Sequence, residues 1–322
     1  MEGFYGPPWT HPERLEMIRF CGVHGLNTWV HAPKDDPYHR ARWREPYPEP
    51  ALAHIAELVS ECVRVGVAFT YALAPGLDVD YDDPRELEAA AAKCEQVRSA
   101  GVRAFQLLWD DVDHRHAPEL SGELQAEWSN RFAAAVEQDV PLVVCPMGYA
   151  GTGDSPYRRG FGAALAPESV VYWSGPEVVS FAVAREELDA AAWRFGGHEL
   201  LLWDNYPVND FAPETVFLGP FRGRDPRLAG GRFAGIVANA MVQAVPSKLA
   251  LATVAEWARD PVAYDPLEAF ARALRQHGFE VRATLGDPAP GVRPPVDLAA
   301  LVDVLAVGVD AATGAALLEP FV

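Results

Sequence analysis

The sequence predicts an α/β fold of the (β/α)8 barrel type with a small C-terminal helical appendage, and three observations carry that expectation. Short apolar runs rich in β-branched and aromatic residues recur along the chain. Segments of helical period lie between them. The alternation fills about 260 of the 322 residues, the size such a barrel needs. A doubly wound open sheet is the rival on this pattern. No GxGxxG opens a helix after the first strand and no P-loop is present, which weakens its nucleotide-binding form.

Eight strands are expected: a stub at Glu2–Tyr5, then Leu26–His31, Val67–Leu73, Ala104–Trp109, Pro141–Cys145, Val170–Trp173, Glu199–Trp203 and Phe233–Ala238. The runs are mostly continuous rather than alternating, as in strands covered on both faces. The first helix is expected over Pro12–Val23, where proline sits in the opening turn. Glu49–Val65 places Leu52, Ile55, Ala56, Val59 and Val63 on one face. Pro84–Ala100 starts after Asp82-Asp83 and stops at Gly101. Gly122–Gln138, Arg185–Phe195 and Pro246–Arg259 complete the barrel helices, and Met147–Ser169 reads as loop. Beyond Arg259 the pattern changes to an amphipathic helix over Pro266–His277, a proline-rich linker over 286–295, and further helix from Asp297. The expected division is a barrel over 1–260 and a small helical region over 261–322.

Formal net charge is -18, which repels nucleic acid and anionic membranes. No apolar stretch is long enough to span a bilayer. Cys21, Cys62, Cys94 and Cys145 are far apart, with no CxxC; they read as buried free thiols in a reducing compartment. No signal peptide is read, so the expectation is cytoplasmic; an upstream strand or signal would be hidden if the start lay further back. The 9 Trp, 15 Phe and 10 Tyr serve either a core or a sugar-lined cleft.

A barrel enzyme carries its working groups where strands end. Here the apolar runs lead into Lys34-Asp35-Asp36, Asp110-Asp111, Pro146-Met147-Gly148-Tyr149, Ser174-Gly175-Pro176, Asp204-Asn205 and Asn239. Asp110-Asp111 after Leu107-Leu108-Trp109 is the sharpest of these. Side chains alternate along a strand, but at its end the chain turns, so both carboxylates can enter one cleft. One protonated and one ionised carboxyl is the division that glycosidic cleavage uses. A solvated turn or helix cap is the plain alternative. A metal reading exists too, since Asp113, His114 and His116 follow, yet no His-x-His or His-Glu-x-x-His supports it. Lys34 is either a ligand-binding ammonium or an exposed lysine. Asn205 and Asn239 either bind hydroxyls or cap the following segments. Tyr149 either stacks on a ring or covers the core. Trp203-Asp204-Asn205 repeats the apolar-Trp-Asp-Asx pattern of Asp110.

These motifs, in order, resemble glycoside hydrolase family 84, the β-N-acetylglucosaminidases that include the O-GlcNAcases. The likeness rests on Glu2-Gly3-Phe4-Tyr5-Gly6 with Pro8-Trp9, Ala32-Pro33-Lys34-Asp35-Asp36 with His39-Arg40, and Trp43-Arg44-Glu45. It continues through Asp110-Asp111-Val112-Asp113-His114, Cys145-Pro146 with Tyr149, Trp173-Ser174-Gly175-Pro176, Trp203-Asp204-Asn205 with Asn209-Asp210, and Asn239. The resemblance implies a retaining, substrate-assisted hydrolase without metal or cofactor. The substrate's own 2-acetamido oxygen would be the nucleophile, Asp110 would orient it, and Asp111 would be acid and then base. It also implies Gly3, Lys34, Asn205, Asp210 and Asn239 around the sugar, Tyr149 beside the acetamido group, and Trp203 and Val178 walling its methyl. The partner would be an N-acetylglucosaminide on a glycoprotein or oligosaccharide. A silent sugar-binding barrel and a metal-dependent hydrolase are the other readings. Met147-Gly148 depart from the polar residues usual before the tyrosine.

Overall fold

The computed structural model describes residues 1–112 and 121–322. Its centre is a curled sheet of seven parallel strands: β1 (Thr28–His31), β2 (Ala68–Leu73), β3 (Ala104–Leu108), β4 (Val143–Cys145), β5 (Val170–Trp173), β6 (Leu200–Asp204) and, after the short β7 (Thr215–Val216), β8 (Phe233–Ala238). The strand order β1-β2-β3-β4-β5-β6-β8 follows the chain, and every neighbouring pair is parallel. Helices α1 (His11–His24), α2 (Glu49–Val65), α3 (Pro84–Ser99), α4 (Gly122–Val136), α5 (Pro156–Ala164), α6 (Arg185–Arg194) and α7 (Ala244–Arg259) connect and flank the strands. Local chemistry sets these boundaries. Thr10 and Glu13 form a reciprocal capping box at the start of α1, which ends at Gly25 with φ 76°.

Of the eight strands the sequence predicts, seven form the sheet, and Glu2–Tyr5 contributes only an isolated bridge, Glu2 to His31. That bridge nevertheless joins the two edges of the sheet. The Glu2 N–H donates to Val30 O at 3.3 Å and the Ala32 N–H to Glu2 O at 3.2 Å. On the other side the Met1 ammonium donates to Ala238 O at 2.8 Å and the Ala240 N–H to Met1 O at 3.2 Å. Below these two residues, β1 and β8 are separated by an open cavity of about 690 Å³ lined in part by Met1, Trp29, Val30, Ile236 and Val237. Pairing stops after Glu2 because the Gly3 N–H turns to the Asn239 side chain. Glu2 itself is fully buried and held by Arg14 at 2.7 and 2.8 Å.

Two further expectations are corrected. Met147–Ser169 is not all loop, since it contains α5. Gly160 and Gly162 weaken its helical pattern, but the second lies against the Phe195–Gly196 backbone, where a side chain would collide. The region after α7 is not only helical. Helices α8 (Pro266–Thr284) and α9 (Leu298–Leu305) lead to strand β9 (Val309–Asp310) and then α10 (Ala311–Leu318). β9 pairs antiparallel with β7. One buried cluster runs from Trp109, Trp128 and Phe161 through Leu249 and Phe270 to Leu301, Leu305 and Leu318, so the core is continuous across residue 260. All four cysteines are free and buried. Among the described residues no helix is long and apolar enough to cross a membrane, and no group of three or more His, Cys, Asp or Glu is placed to hold a metal.

Candidate active site

The end of β3 is fixed before the carboxylates begin. The Trp109 N–H donates to Cys145 O at 2.8 Å, and its buried indole donates to Ser129 Oγ of α4 at 3.0 Å. Asp110 continues inward and is 6% exposed. Asp111 then adopts φ 56°, the left-handed region that costs most residues energy and that Asp tolerates better than most. This turn breaks the strand alternation and brings both side chains to one pocket of about 200 Å³.

The two carboxylates have different surroundings. Asp110 forms a buried ion pair with Lys34, whose ammonium lies 5.3 Å from the centre of the Trp203 ring. The Oδ1 atom of Asp110 is buried and has no partner among the described residues, an arrangement that is costly unless something supplies a donor. Asp111 is exposed and accepts two phenol hydrogen bonds, from Tyr5 at 2.8 Å on Oδ2 and from Tyr149 at 2.9 Å on Oδ1. Burial first, and then the Asp111 charge, push both phenols above their ordinary value, so they remain donors. Arg40 Nη2 donates to Asp111 O at 3.1 Å.

The rest of the wall comes from the opposite strands. The Gly3 N–H donates to Asn239 Oδ1 at 3.1 Å, and Asn239 Nδ2 donates to Asn205 Oδ1 at 3.1 Å. Trp203 Nε1 also donates to Asn205 Oδ1, at 3.0 Å, and Asn205 Nδ2 donates to Val178 O at 2.7 Å. Any side chain at Gly3 would intrude, because its Cβ would sit 3.1 Å from Asn239 Oδ1. Asp210 Oδ2 accepts the Tyr5 N–H at 2.8 Å.

Gly3, Lys34, Asp110, Asp111, Tyr149, Val178, Trp203, Asn205, Asp210 and Asn239 thus all line one pocket. Val178 is half exposed at its mouth, whereas Trp203 is buried. Asp204, the acid in the repeated Trp-Asp-Asx pattern, is elsewhere. It is buried against Arg224 at 2.7 Å, and burial raises its carboxyl above the ordinary range. Asp113, His114 and His116 lie outside the described residues. Sequence reasoning gave no role to Tyr5, Cys145, Val179, Val208 or Phe211, which also line the pocket. For Tyr5 the clue was its place two residues after Gly3. The Cys145 thiol is pushed well up by burial and so presents a neutral, small side wall.

Known proteins resemble the chain in sequence and in fold. A family model described as beta-N-acetylglucosaminidase matches residues 1–285. The proteins named Protein O-GlcNAcase from Rattus norvegicus and Mus musculus are each 33% identical to the chain over 269 residues, 80% of this chain and 29% of theirs. The chain therefore spans less than a third of the length of these curated relatives. A solved structure of an O-GlcNAc hydrolase variant from Thermobaculum terrenum matches with a TM-score of 0.81 at 33% identity, covering 88% of this chain and 63% of that one.

Proposed function

The chain belongs to the beta-N-acetylglucosaminidase family, and from that premise we propose that it is a glycoside hydrolase that releases terminal β-linked N-acetylglucosamine with retention, using the substrate's acetamido group as nucleophile. The observation that carries this reading is the buried Oδ1 of Asp110, which has no partner among the described residues. An acetamido N–H is the donor it lacks. Accepting that bond aims the acetamido oxygen at the anomeric carbon, while the ion pair with Lys34 holds the Asp110 carboxylate in place. An attached nucleophile needs little beyond orientation to gain a large rate. A small apolar recess by Trp203 and Val178 takes the methyl.

Asp111 protonates the departing oxygen as an oxazoline forms, then draws a proton from the water that opens it. With phenols on both of its oxygens, one must yield when the carboxyl is protonated. Asp210, Asn205 and Asn239 take the sugar hydroxyls, with Asp210 on those farthest from the scissile bond. A pocket of about 200 Å³ suits one sugar ring and hence an exo action. The strands work here as a (β/α)8-type barrel rim, with Met1–Glu2 in the place of the eighth strand. The substrate is an N-acetylglucosaminide of a glycoprotein or oligosaccharide. Four free, buried thiols fit a reducing, cytoplasmic setting.

The test is a fluorogenic aryl β-N-acetylglucosaminide assay on the wild type, with and without chelator, and with the galacto epimer alongside. Turnover of the gluco substrate that survives the chelator is expected. Tight binding of an oxazoline mimic with no turnover would instead mark a silent sugar-binding protein, and loss of activity with chelator would mark a metal-dependent one.

A further inference from the structure

The loop between β6 and β8 has two faces. Its inner face brings Asn205, Val208, Asp210 and Phe211 to the pocket. Its outer face, Val216 and Leu218, is buried with Leu301, Leu305 and Leu318 of the C-terminal region. Contact there is at backbone level. Thr215 pairs with Asp310 and Val216 with Val309. Gly308 has φ 78°, and a Cβ on it would collide with Thr215 Cγ2 and meet the Phe217 ring at 2.9 Å. A Cβ on Gly219 would reach Leu305 O at 3.3 Å.

A short chain of bonds leads from this contact to the sugar-facing carboxylate. Asn209 is fully buried, and its amide nitrogen donates to Thr215 O of β7 at 2.7 Å and to Gln243 Oε1 at 2.8 Å. Its amide oxygen accepts the Val242 N–H at 3.0 Å. The next residue is Asp210, whose carboxylate takes the Tyr5 N–H.

We propose that strand β9 is a brace for Asp210: the C-terminal segment fixes β7, β7 fixes Asn209, and Asn209 sets where Asp210 meets the sugar. Residues 286–322 lie beyond the part matched by the family model, and the brace is built from them. The inference rests on the proposed function for the role of Asp210. It makes the C-terminal segment a specificity determinant for the hydroxyl opposite the scissile bond, although none of its residues reaches the pocket.

The experiment uses the full chain, Gly308→Val, and the milder Val309→Ala in case the first does not fold. Each is assayed with an aryl β-N-acetylglucosaminide and its 4-deoxy analogue. The wild type should prefer the hydroxyl-bearing substrate, and folded variants should lose about tenfold of that preference, the scale of one charged hydrogen bond. KM should carry the change, and the dependence on leaving group should stay as it was. Val296→Ser, on an exposed tail position, should behave as wild type. A lower melting temperature with an unchanged 4-hydroxy to 4-deoxy ratio would overturn the brace and leave β9 merely structural. If the wild type turns over neither substrate, the proposed function fails instead. The brace is then judged by calorimetric binding of N-acetylglucosamine against its 4-deoxy analogue, where an equal ratio in variant and wild type overturns it.

Discussion

Asp111 stands in a backbone conformation with φ 56° that only a few residue types accept cheaply. The left-handed region costs an ordinary L-residue ~1–2 kcal/mol, with Gly, Asn and Asp the usual exceptions. Replacements should therefore separate chemistry from stability. Asp111→Asn and Asp111→Gly are expected to melt near the wild type, and Asp111→Ala about 1 kcal/mol lower in stability. All three should lose most activity on aryl substrates with poor leaving groups and less on those with good ones. Calorimetric melts and a leaving-group series check both halves, and equal losses across the series would remove Asp111 from the acid role. At this scale the carboxylates were legible because two acids after a buried run have few places to go. Tyr5 was not. Its phenol reaches Asp111 across 106 residues of sequence, a meeting that only the curl of the sheet creates. The Oδ1 of Asp110, without a partner among the described residues, was equally invisible, since a missing bond leaves no mark in a sequence.

At the scale of elements, seven of the eight expected strands were read in the right order and nearly the right places, because buried parallel strands announce themselves as continuous apolar runs. The short helix α5 was missed for a reason that also makes it matter. It packs on α4 at backbone distance, and a Cβ on Gly122 would strike the Tyr157 carbonyl and come within 2.6 Å of Phe161 N. Tyr157 in turn accepts the Met147 N–H at 2.9 Å, two residues before Tyr149. Within α5 itself the glycines that lower helix propensity also sit in close contacts, a Cβ on Gly160 lying 3.1 Å from the Glu123 side chain of α4 and one on Gly162 striking the Phe195–Gly196 backbone. Gly122→Ala is expected to cost about 3 kcal/mol, at the upper end of overpacking effects, where an ordinary glycine to alanine change at a helix start would cost little. Denaturant titration measures it, and a neutral result would mean that the two helices separate without penalty. The tail strand β9 escaped for the opposite reason, since two residues are too few to show a period.

For the molecule as a whole, the charge of -18 and the buried imidazoles set the response to acid. His24 faces His277 at 2.8 Å between Nε2 atoms, and burial, then the neighbouring imidazole, lower it from 6.5 to about 4. Burial lowers His31 well below its ordinary value and His39 to about 3. In each case the unfolded chain binds the proton more readily. Stability from these groups is complete above about pH 6.5 and drains away as pH falls toward 4. Glu2 and Asp204, both raised by burial, act in the other direction and soften the fall. His24→Gln should flatten the loss between pH 6.5 and 4 in melts followed by circular dichroism. An unchanged slope would assign it to the other groups.

Among the described residues, Met1 and Glu2 make the backbone bonds across the seam between β1 and β8, and the half-buried Met1 nitrogen donates to Ala238 O at 2.8 Å. An amide nitrogen in its place would make the same bond to Ala238 without a charge to bury. Below this bond the facing edges of β1 and β8 border the cavity of about 690 Å³. A change that loosens this seam therefore reaches the pocket within two residues, at Gly3 and Asn239.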